Sequence, residues 1–245
     1  MGTTPTISKE NGDKIMIYCC GDIHGSLDIK KIELWEEEVC PSRNDYLIIL
    51  GDWGAIWYGN WWDESMITYW DAKPYRVLFI DGNHENHKAL NSYPIVHWNG
   101  GRAHLIGNNI LHLMRGEVFT IDNKTFFCMG GGHSLDAPLR TEGKSWWPEE
   151  MPSKQDYDNG LDNLEKYGFK VDYILTHIAD TFTLKLINPY YEQDELSQYL
   201  NILKSKHNLK YKHHYFGHYH IDAKLTPKET CLYDKVIKIQ EADNG

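Results

Sequence analysis

The sequence predicts an α/β fold in layers, with parallel strands in its first half. Short apolar runs recur along the chain, among them KIMIYCC at 14–20, DYLIIL at 45–50 and YRVLFI at 75–80. They are rich in β-branched and aromatic residues and nearly continuous in apolar side chains, which is typical of strands covered on both faces. Segments with helical periodicity separate these runs, and strand–helix–strand alternation favours parallel pairing.

The helices of the first half lie between these strands. The apolar residues of LDIKKIELWEEEVCPSRN at 27–44 recur with helical spacing, and Pro41 ends the pattern. The segment SMITYWDAKPY at 65–75 separates the second and third strands, and HKALNSYP at 87–94 begins a short helix after the third.

The middle and the end of the chain predict further strands and helices. Residues 103–132 read as three short strands joined by GNN, RGE and DNK turns, which favour antiparallel hairpins in a mixed or second sheet. Helical segments at 152–170 and 191–208 alternate with the apolar runs VDYIL and HHYF, and a final strand or hairpin arm is predicted in CLYDKVIKIQ.

Composition indicates one soluble globular domain over residues 1–245, with residues 1–13 expected to be flexible. The formal net charge of -10 disfavours binding to nucleic acid. No apolar stretch predicts a membrane span or a signal peptide, so no membrane association is expected. The five cysteines are an odd number without C-x-x-C spacing, which together with these features predicts a cytoplasmic protein.

Residues of the types that commonly bind metals follow five of the predicted strands directly. They are Asp22 and His24, Asp52, Asn83 and His84, His177, and His218 and His220. In open α/β sheets the loops at the carboxyl ends of the strands converge, so we expect these side chains to lie together. Carboxylates and imidazoles gathered without a cation would be costly, because they would be desolvated and would repel one another.

The donor set indicates two metal ions. It contains oxygen and nitrogen but no thiolate, which suits manganese, iron or zinc as divalent or trivalent ions. Seven ligands, the set without His84, are too many for one tetrahedral ion and fit two ions that share a carboxylate, with positions left for water and substrate.

The motifs GDIHG, GDWG, GNHE, TH and GHYH, in that order over residues 17–220, resemble those of the calcineurin-like metallophosphoesterases. The resemblance implies a four-layer αββα sandwich with two mixed β-sheets and a dinuclear metal site at the carboxyl ends of the strands. It also implies a ligand set in which the first ion takes Asp22, His24 and His220, the second takes Asn83, His177 and His218, and Asp52 bridges both. His84 matches the family's catalytic histidine, which stabilises or protonates the leaving group.

The resemblance implies hydrolysis of a phosphomonoester or a phosphodiester by a hydroxide that bridges the two metal ions. The chain is similar to small bacterial members of the family rather than to the protein Ser/Thr phosphatases. Those enzymes follow their second motif with DRG, whereas this chain has GDWGAIWYG, and they tend to carry an Arg where it has Asp81. A small phosphorylated substrate is therefore expected, with nucleotides among the candidates.

Two further segments predict contacts with the substrate. In the loop at 130–152, Arg140 and His133 are candidates to bind the phosphoryl group, and Trp146 or Trp147 to stack on a flat leaving group. The segment WGAIWYGNWW at 53–62 is expected to add an aromatic wall.

Other functions compatible with the sequence are a metal-binding regulatory module with little turnover and a nuclease. The presence of His84 favours an enzyme over the module, and the acidic net charge disfavours the nuclease. A nucleotide-binding Rossmann protein is less consistent, since no G-x-G-x-x-G follows the first strand. The physiological substrate, the native metals and the oligomeric state stay open at this point.

Overall fold

A computed structural model describes residues 14–239 of the protein. The expectation that residues 1–13 are flexible lies outside the described residues. Within this range, no helix combines the length and the apolar character needed to cross a membrane.

Six α-helices and thirteen strands are present among the described residues. The helices are α1 (Lys30–Val39), α2 (Trp61–Asp71), α3 (His87–Leu90), α4 (Lys154–Lys166), α5 (Thr181–Ile187) and α6 (Glu195–Ser205). The strands are β1 (Ile17–Cys20), β2 (Tyr46–Leu50), β3 (Arg76–Ile80), β4 (Ile95–Trp98), β5 (Gly101–Leu105), β6 (Ile110–Leu113), β7 (Glu117–Ile121), β8 (Lys124–Met129), β9 (Tyr173–Thr176), β10 (His213–Phe216), β11 (Ala223–Thr226), β12 (Glu229–Cys231) and β13 (Ile237–Lys238).

The strands form two mixed sheets. The first has the order β13-β1-β2-β3-β6-β5-β4, in which β1, β2, β3 and β6 are parallel and the other strands antiparallel to their neighbours. The second has the order β11-β12-β10-β9-β8-β7, with β12, β10, β9 and β8 parallel. The predicted parallel pairing in the first half is therefore confirmed.

The sheets face each other across an apolar core and are covered by helices on their outer faces. Leu78 of the first sheet and Leu175 of the second belong to the cluster buried between the sheets. Trp35 of α1 and Trp70 of α2 pack in the cluster on the outer face of the first sheet. Leu200 of α6 packs in the corresponding cluster on the second sheet. The fold is the expected αββα sandwich.

The segment 103–132 contains four strands rather than the three predicted, namely β5, β6, β7 and β8. The GNN and DNK turns join antiparallel pairs, but the RGE turn carries the chain from the first sheet to the second. Gly116 in this crossover has a φ of 73°, and a Cβ there would lie 2.6 Å from the backbone nitrogen of Gly160 in α4. The prediction of a hairpin at this turn is wrong, because glycine is equally compatible with a hairpin turn and with a crossover between sheets.

Candidate metal centre

The carboxyl ends of parallel strands from both sheets meet at one place. Asp52, which follows β2, lies between two donor groups, each of which contains residues from both sheets. Its Oδ2 atom is 3.3 Å from Nε2 of His24, and its Oδ1 atom is 3.4 Å from Nε2 of His177. Asp52 is thus positioned to be shared between two ions, as the resemblance implies.

The first donor group contains Asp22, His24 and His220. One ligand atom from each lies within 4.8 Å of the others, and Oδ1 of Asp22 is 3.6 Å from Nε2 of His220. The second Asp22 oxygen accepts a hydrogen bond from the backbone N–H of His218 at 2.9 Å, which fixes the carboxylate. These three side chains have the charge and the donor atoms to hold a cation.

The second donor group contains Asn83, His177 and His218. Nδ1 of His218 and Oδ1 of Asn83 lie 3.2 Å and 3.1 Å from Nε2 of His177. The Asn83 amide donates to Oγ of Ser134 at 3.0 Å, so its carbonyl oxygen faces the histidines. All seven predicted ligands therefore converge.

Hydrogen bonds orient two of the imidazoles for metal binding. Nδ1 of His177 lies 2.8 Å from the carbonyl oxygen of Leu50, and Nδ1 of His24 lies 2.8 Å from the Asp28 carboxylate. Each contact fixes the proton on Nδ1, which leaves the Nε2 lone pair directed at the centre. The side chains present consequently fit a pair of metal ions.

The electrostatic environment of the centre favours positive charge, as the pKa values of His177 and Asp52 indicate. Burial alone lowers the pKa of His177, but the Asp52 and Asp22 carboxylates and the Leu50 carbonyl raise it to about 9. Burial raises the pKa of Asp52, yet the charges and hydrogen bonds of His177 and His24 hold it well below its usual range. Without metal ions, a proton on His177 therefore balances the negative charge of Asp52 and Asp22, which metal cations would otherwise balance.

The backbone at the ligands is unusual. Positive φ angles occur at five of the seven: Asp22, His24, Asp52, His218 and His220. This left-handed conformation is uncommon for residues other than glycine and concentrates at functional sites. The sharp turns let several side chains point into one small volume.

Two motif glycines leave room for neighbouring ligands. Gly51 has a φ of 89°, and a Cβ there would lie 2.3 Å from Nδ1 of His177. A Cβ at Gly82 would lie 2.1 Å from Oδ1 of Asp52. The glycines before Asp52 and Asn83 are therefore required by close packing as well as by the turn.

Three residues that support the ligands were not singled out from the sequence. Tyr233 stacks on His220 with ring centroids 4.4 Å apart, and its hydroxyl contacts Asp28 Oδ1 at 3.1 Å. Lys31 donates to the backbone oxygens of Asp22 at 2.5 Å and of Tyr233 at 2.6 Å. The role of Asp28 could have been found from the sequence, since it follows His24 by four residues. Tyr233 is distant in sequence from Asp28, and only the fold brings the two together.

Replacing Asp28 with alanine is expected to weaken metal binding about 10–100-fold, because the hydrogen bond that orients His24 is lost. Titration of the metal-free protein with Mn²⁺ measures the affinity. Asp28→Asn, which retains an acceptor oxygen, is expected to lie between Asp28→Ala and wild type. The exposed Asp234→Asn serves as a control, and equal affinities in all four proteins would contradict the role assigned to Asp28.

His84 and Arg140 lie together at the edge of the centre. Nη1 of Arg140 is 3.1 Å from Nδ1 of His84, and the backbone N–H of His84 donates to Oδ1 of Asp52 at 2.7 Å. Asp136 holds Nε of Arg140 at 2.8 Å. Burial lowers the pKa of His84, and Arg140 adds to this effect although Asp52 opposes it.

The other predicted substrate contacts have different outcomes. His133 is about half exposed and lines a cavity that also contains His218 and His220. Trp147 is buried and packs edge-on against Trp57 with ring centroids 5.1 Å apart, so its ring is part of the scaffold and not free to stack on a ligand.

One further set of metal-binding residue types lies apart from the centre. Asp180, His214 and Glu229 are buried together, but the ammonium group of Lys204 lies among them. Asp180 also caps α5 by accepting the N–H of Phe182. This cluster already contains its cation and is structural.

Comparisons with known proteins agree with the geometry. The sequence model of the calcineurin-like phosphoesterase family matches residues 15–222, a range that includes all seven converging ligands. No curated protein matches the sequence. Among solved structures, the chain is similar to a protein of unknown function from Aquifex aeolicus, with 15% identity and a TM-score of 0.39. The alignment covers 92% of this chain and 96% of that one, and at this TM-score we base no conclusion on it.

Proposed function

Because the chain belongs to the calcineurin-like phosphoesterase family, we propose that it hydrolyses a small phosphomonoester or phosphodiester with the help of two metal ions. The observation that carries this proposal is the position of Asp52, whose two oxygens face the donors of two separate groups. Asp22, His24 and His220 would hold one ion, and Asn83, His177 and His218 the other.

The ions are manganese, iron or zinc in this proposal, since the donors are carboxylate, amide and imidazole groups. Bound here, they would supply a nucleophile by lowering the pKa of water and would neutralise phosphoryl oxygens. The protein's own contribution is to fix the donor atoms, through the contacts of Leu50 with His177 and of Asp28 with His24.

His84 is the residue that we assign to the leaving group. The Arg140 guanidinium donates toward Nδ1 of His84, which favours the tautomer with its proton on Nε2. That N–H can donate a hydrogen bond to the departing oxygen and stabilise its developing charge. Arg140 itself is held by Asp136 and the Ser145 carbonyl, and it is our candidate to bind a phosphoryl oxygen.

A small substrate is proposed in preference to nucleic acid, because the formal net charge of -10 opposes a phosphate backbone. A cytoplasmic location belongs to the same proposal. It is supported by five free cysteines, of which four are buried. His133, in the cavity beside His218, is a further candidate to contact the substrate.

The proposal is tested by replacing His84 with alanine. We expect kcat for p-nitrophenyl phosphate or its bis-ester, measured with Mn²⁺, to fall about 10²–10⁴-fold while two ions remain bound. The exposed His97→Ala is the matched control. Equally low rates in wild type, His84→Ala and chelated protein would indicate a metal-binding module and contradict an enzyme.

A further inference from the structure

Two separate cavities open beside the ligand set. The first, of about 300 Å³, is the aromatic pocket: it is lined by His24 and His84 together with Trp57, Tyr58 and Trp62. The second, of about 670 Å³, is the acidic pocket, which is lined by His218 and His220 on its inner side. A group bound at the metal centre can therefore extend in two directions.

The aromatic pocket is preformed. The buried Asp63 carboxylate accepts the backbone N–H groups of Trp57, Tyr58 and Gly59 at 3.0, 3.0 and 2.7 Å. Tyr58 and Trp62 pack edge-to-face with ring centroids 5.2 Å apart. A rigid aromatic wall of this size suits one flat ring system.

The acidic pocket has a different chemistry. Its rim carries Glu192, Asp194 and Glu195, and none of the described residues that line it is a lysine or arginine. Its wall is apolar, with Leu135 and Tyr191 among the lining residues. Negative charge at the rim repels an anionic group and accepts a neutral or cationic one.

We propose that the substrate is a phosphodiester with a flat leaving group in the aromatic pocket and an uncharged or cationic second substituent in the acidic pocket. This inference rests on the proposed function. The leaving group is assigned to the aromatic pocket because His84 lines that pocket and not the other. A phosphomonoester would fill only one of the two cavities.

The reaction gives an alcohol and a phosphomonoester. Water supplies the oxygen of the new P–O bond, and the P–O bond to the group in the aromatic pocket breaks with its electron pair on oxygen. The Nε2–H of His84 donates a hydrogen bond to that oxygen as its charge develops, and the proton lost by the water ends on the departing alcohol. The product in the acidic pocket keeps its substituent and gains a phosphate charge.

The test uses four p-nitrophenyl esters that share one leaving group. Three are diesters whose second substituent is 2-(trimethylammonio)ethyl, its neutral isostere 3,3-dimethylbutyl, or the anionic 3-sulfopropyl; the fourth is the monoester. We expect kcat/KM for the cationic and neutral diesters to exceed that for the anionic diester and the monoester at least about tenfold.

One set of variants tests the acidic pocket and a second set tests the aromatic pocket. Glu192→Gln with Glu195→Gln is expected to remove most of the discrimination against the anionic diester, whereas the exposed Glu165→Gln leaves it unchanged. Trp62→Ala is expected to raise KM for all the diesters. Its neighbour Trp61 is 72% exposed and lines neither pocket, so Trp61→Ala is the matched control.

The outcomes separate this inference from the proposed function. Hydrolysis of none of the four esters with metal present would overturn both. Hydrolysis of the monoester or the anionic diester at least as fast as the neutral diester, with no effect of the paired glutamate variants, would overturn the phosphodiester inference alone.

Discussion

Replacing Asp52 with asparagine is expected to lower phosphoesterase kcat/KM by about 10³-fold or more. Two metal ions contribute several kcal/mol to the stabilisation of transition-state charge, and each 1.36 kcal/mol is about tenfold in rate. Asparagine offers one neutral oxygen in place of two charged ones. The NH₂ group of the asparagine would take the place of the oxygen that faces His24 or of the one that faces His177, and it cannot act as a metal ligand there.

The same substitution is expected to change the metal content. Elemental analysis of purified protein should give two ions for wild type and at most one for Asp52→Asn, because the shared ligand is lost. Asp162→Asn, an exposed residue of α4, controls for loss of a carboxylate elsewhere. Two bound ions and near-wild-type rates in Asp52→Asn would exclude a shared carboxylate at this position.

The convergence of the ligands was predictable because two local signals agree. Each ligand follows a strand-like run directly, and parallel strands end at one edge of a sheet. A glycine beside five of the seven ligands, all but His177 and His220, marks the sharp turn. The proximity of Asp22, Asp52 and Asn83 could therefore be predicted from the sequence, since they follow neighbouring parallel strands of one sheet.

The residues that support the centre were less accessible to prediction. Tyr233 and Asp28 are in contact although 205 positions separate them in the sequence. No periodicity or motif joins such a pair. The chain is brought back to its beginning by the pairing of β12 with β10 and of β13 with β1, and the backbone N–H of Tyr233 donates to Asp222. For the same reason, the burial of Trp147 against Trp57 could not be read from either segment.

The buried cluster around Lys204 is a second feature that depends on the fold. Its ammonium group contacts Asp180 Oδ2 and Glu229 Oε1, each at 2.5 Å, and Nδ1 of His214 at 2.9 Å. The Thr183 hydroxyl oxygen lies within hydrogen-bonding distance of both carboxylates. Nε2 of His214 contacts Oγ1 of Thr176, the residue before the predicted ligand His177. The cluster thus ties α5 and α6 to the second sheet.

Replacing Lys204 with methionine is expected to reduce the free energy of unfolding by about 3–5 kcal/mol at pH 7, because it leaves two buried carboxylates without their cation. Urea denaturation measures the difference. Lys206→Met, an exposed lysine at the end of the same helix, is the matched control and should change stability by less than about 0.5 kcal/mol. Equal unfolding midpoints for the two variants would contradict the role of Lys204.

The destabilisation is also expected to depend on pH, which separates lost charge pairing from lost packing. Burial raises the pKa of Glu229, but His214 and Lys204 hold it below its ordinary value. In wild type, this carboxylate therefore contributes stability that is present above the ordinary pKa and is lost as pH falls through the folded one. In Lys204→Met, burial without the cation raises the pKa of Glu229, and protonation of Glu229 or His214 relieves the unpaired charge. The difference in free energy of unfolding between wild type and Lys204→Met should accordingly become smaller from pH 7 to pH 5. A constant difference would mean that Lys204 acts through packing alone.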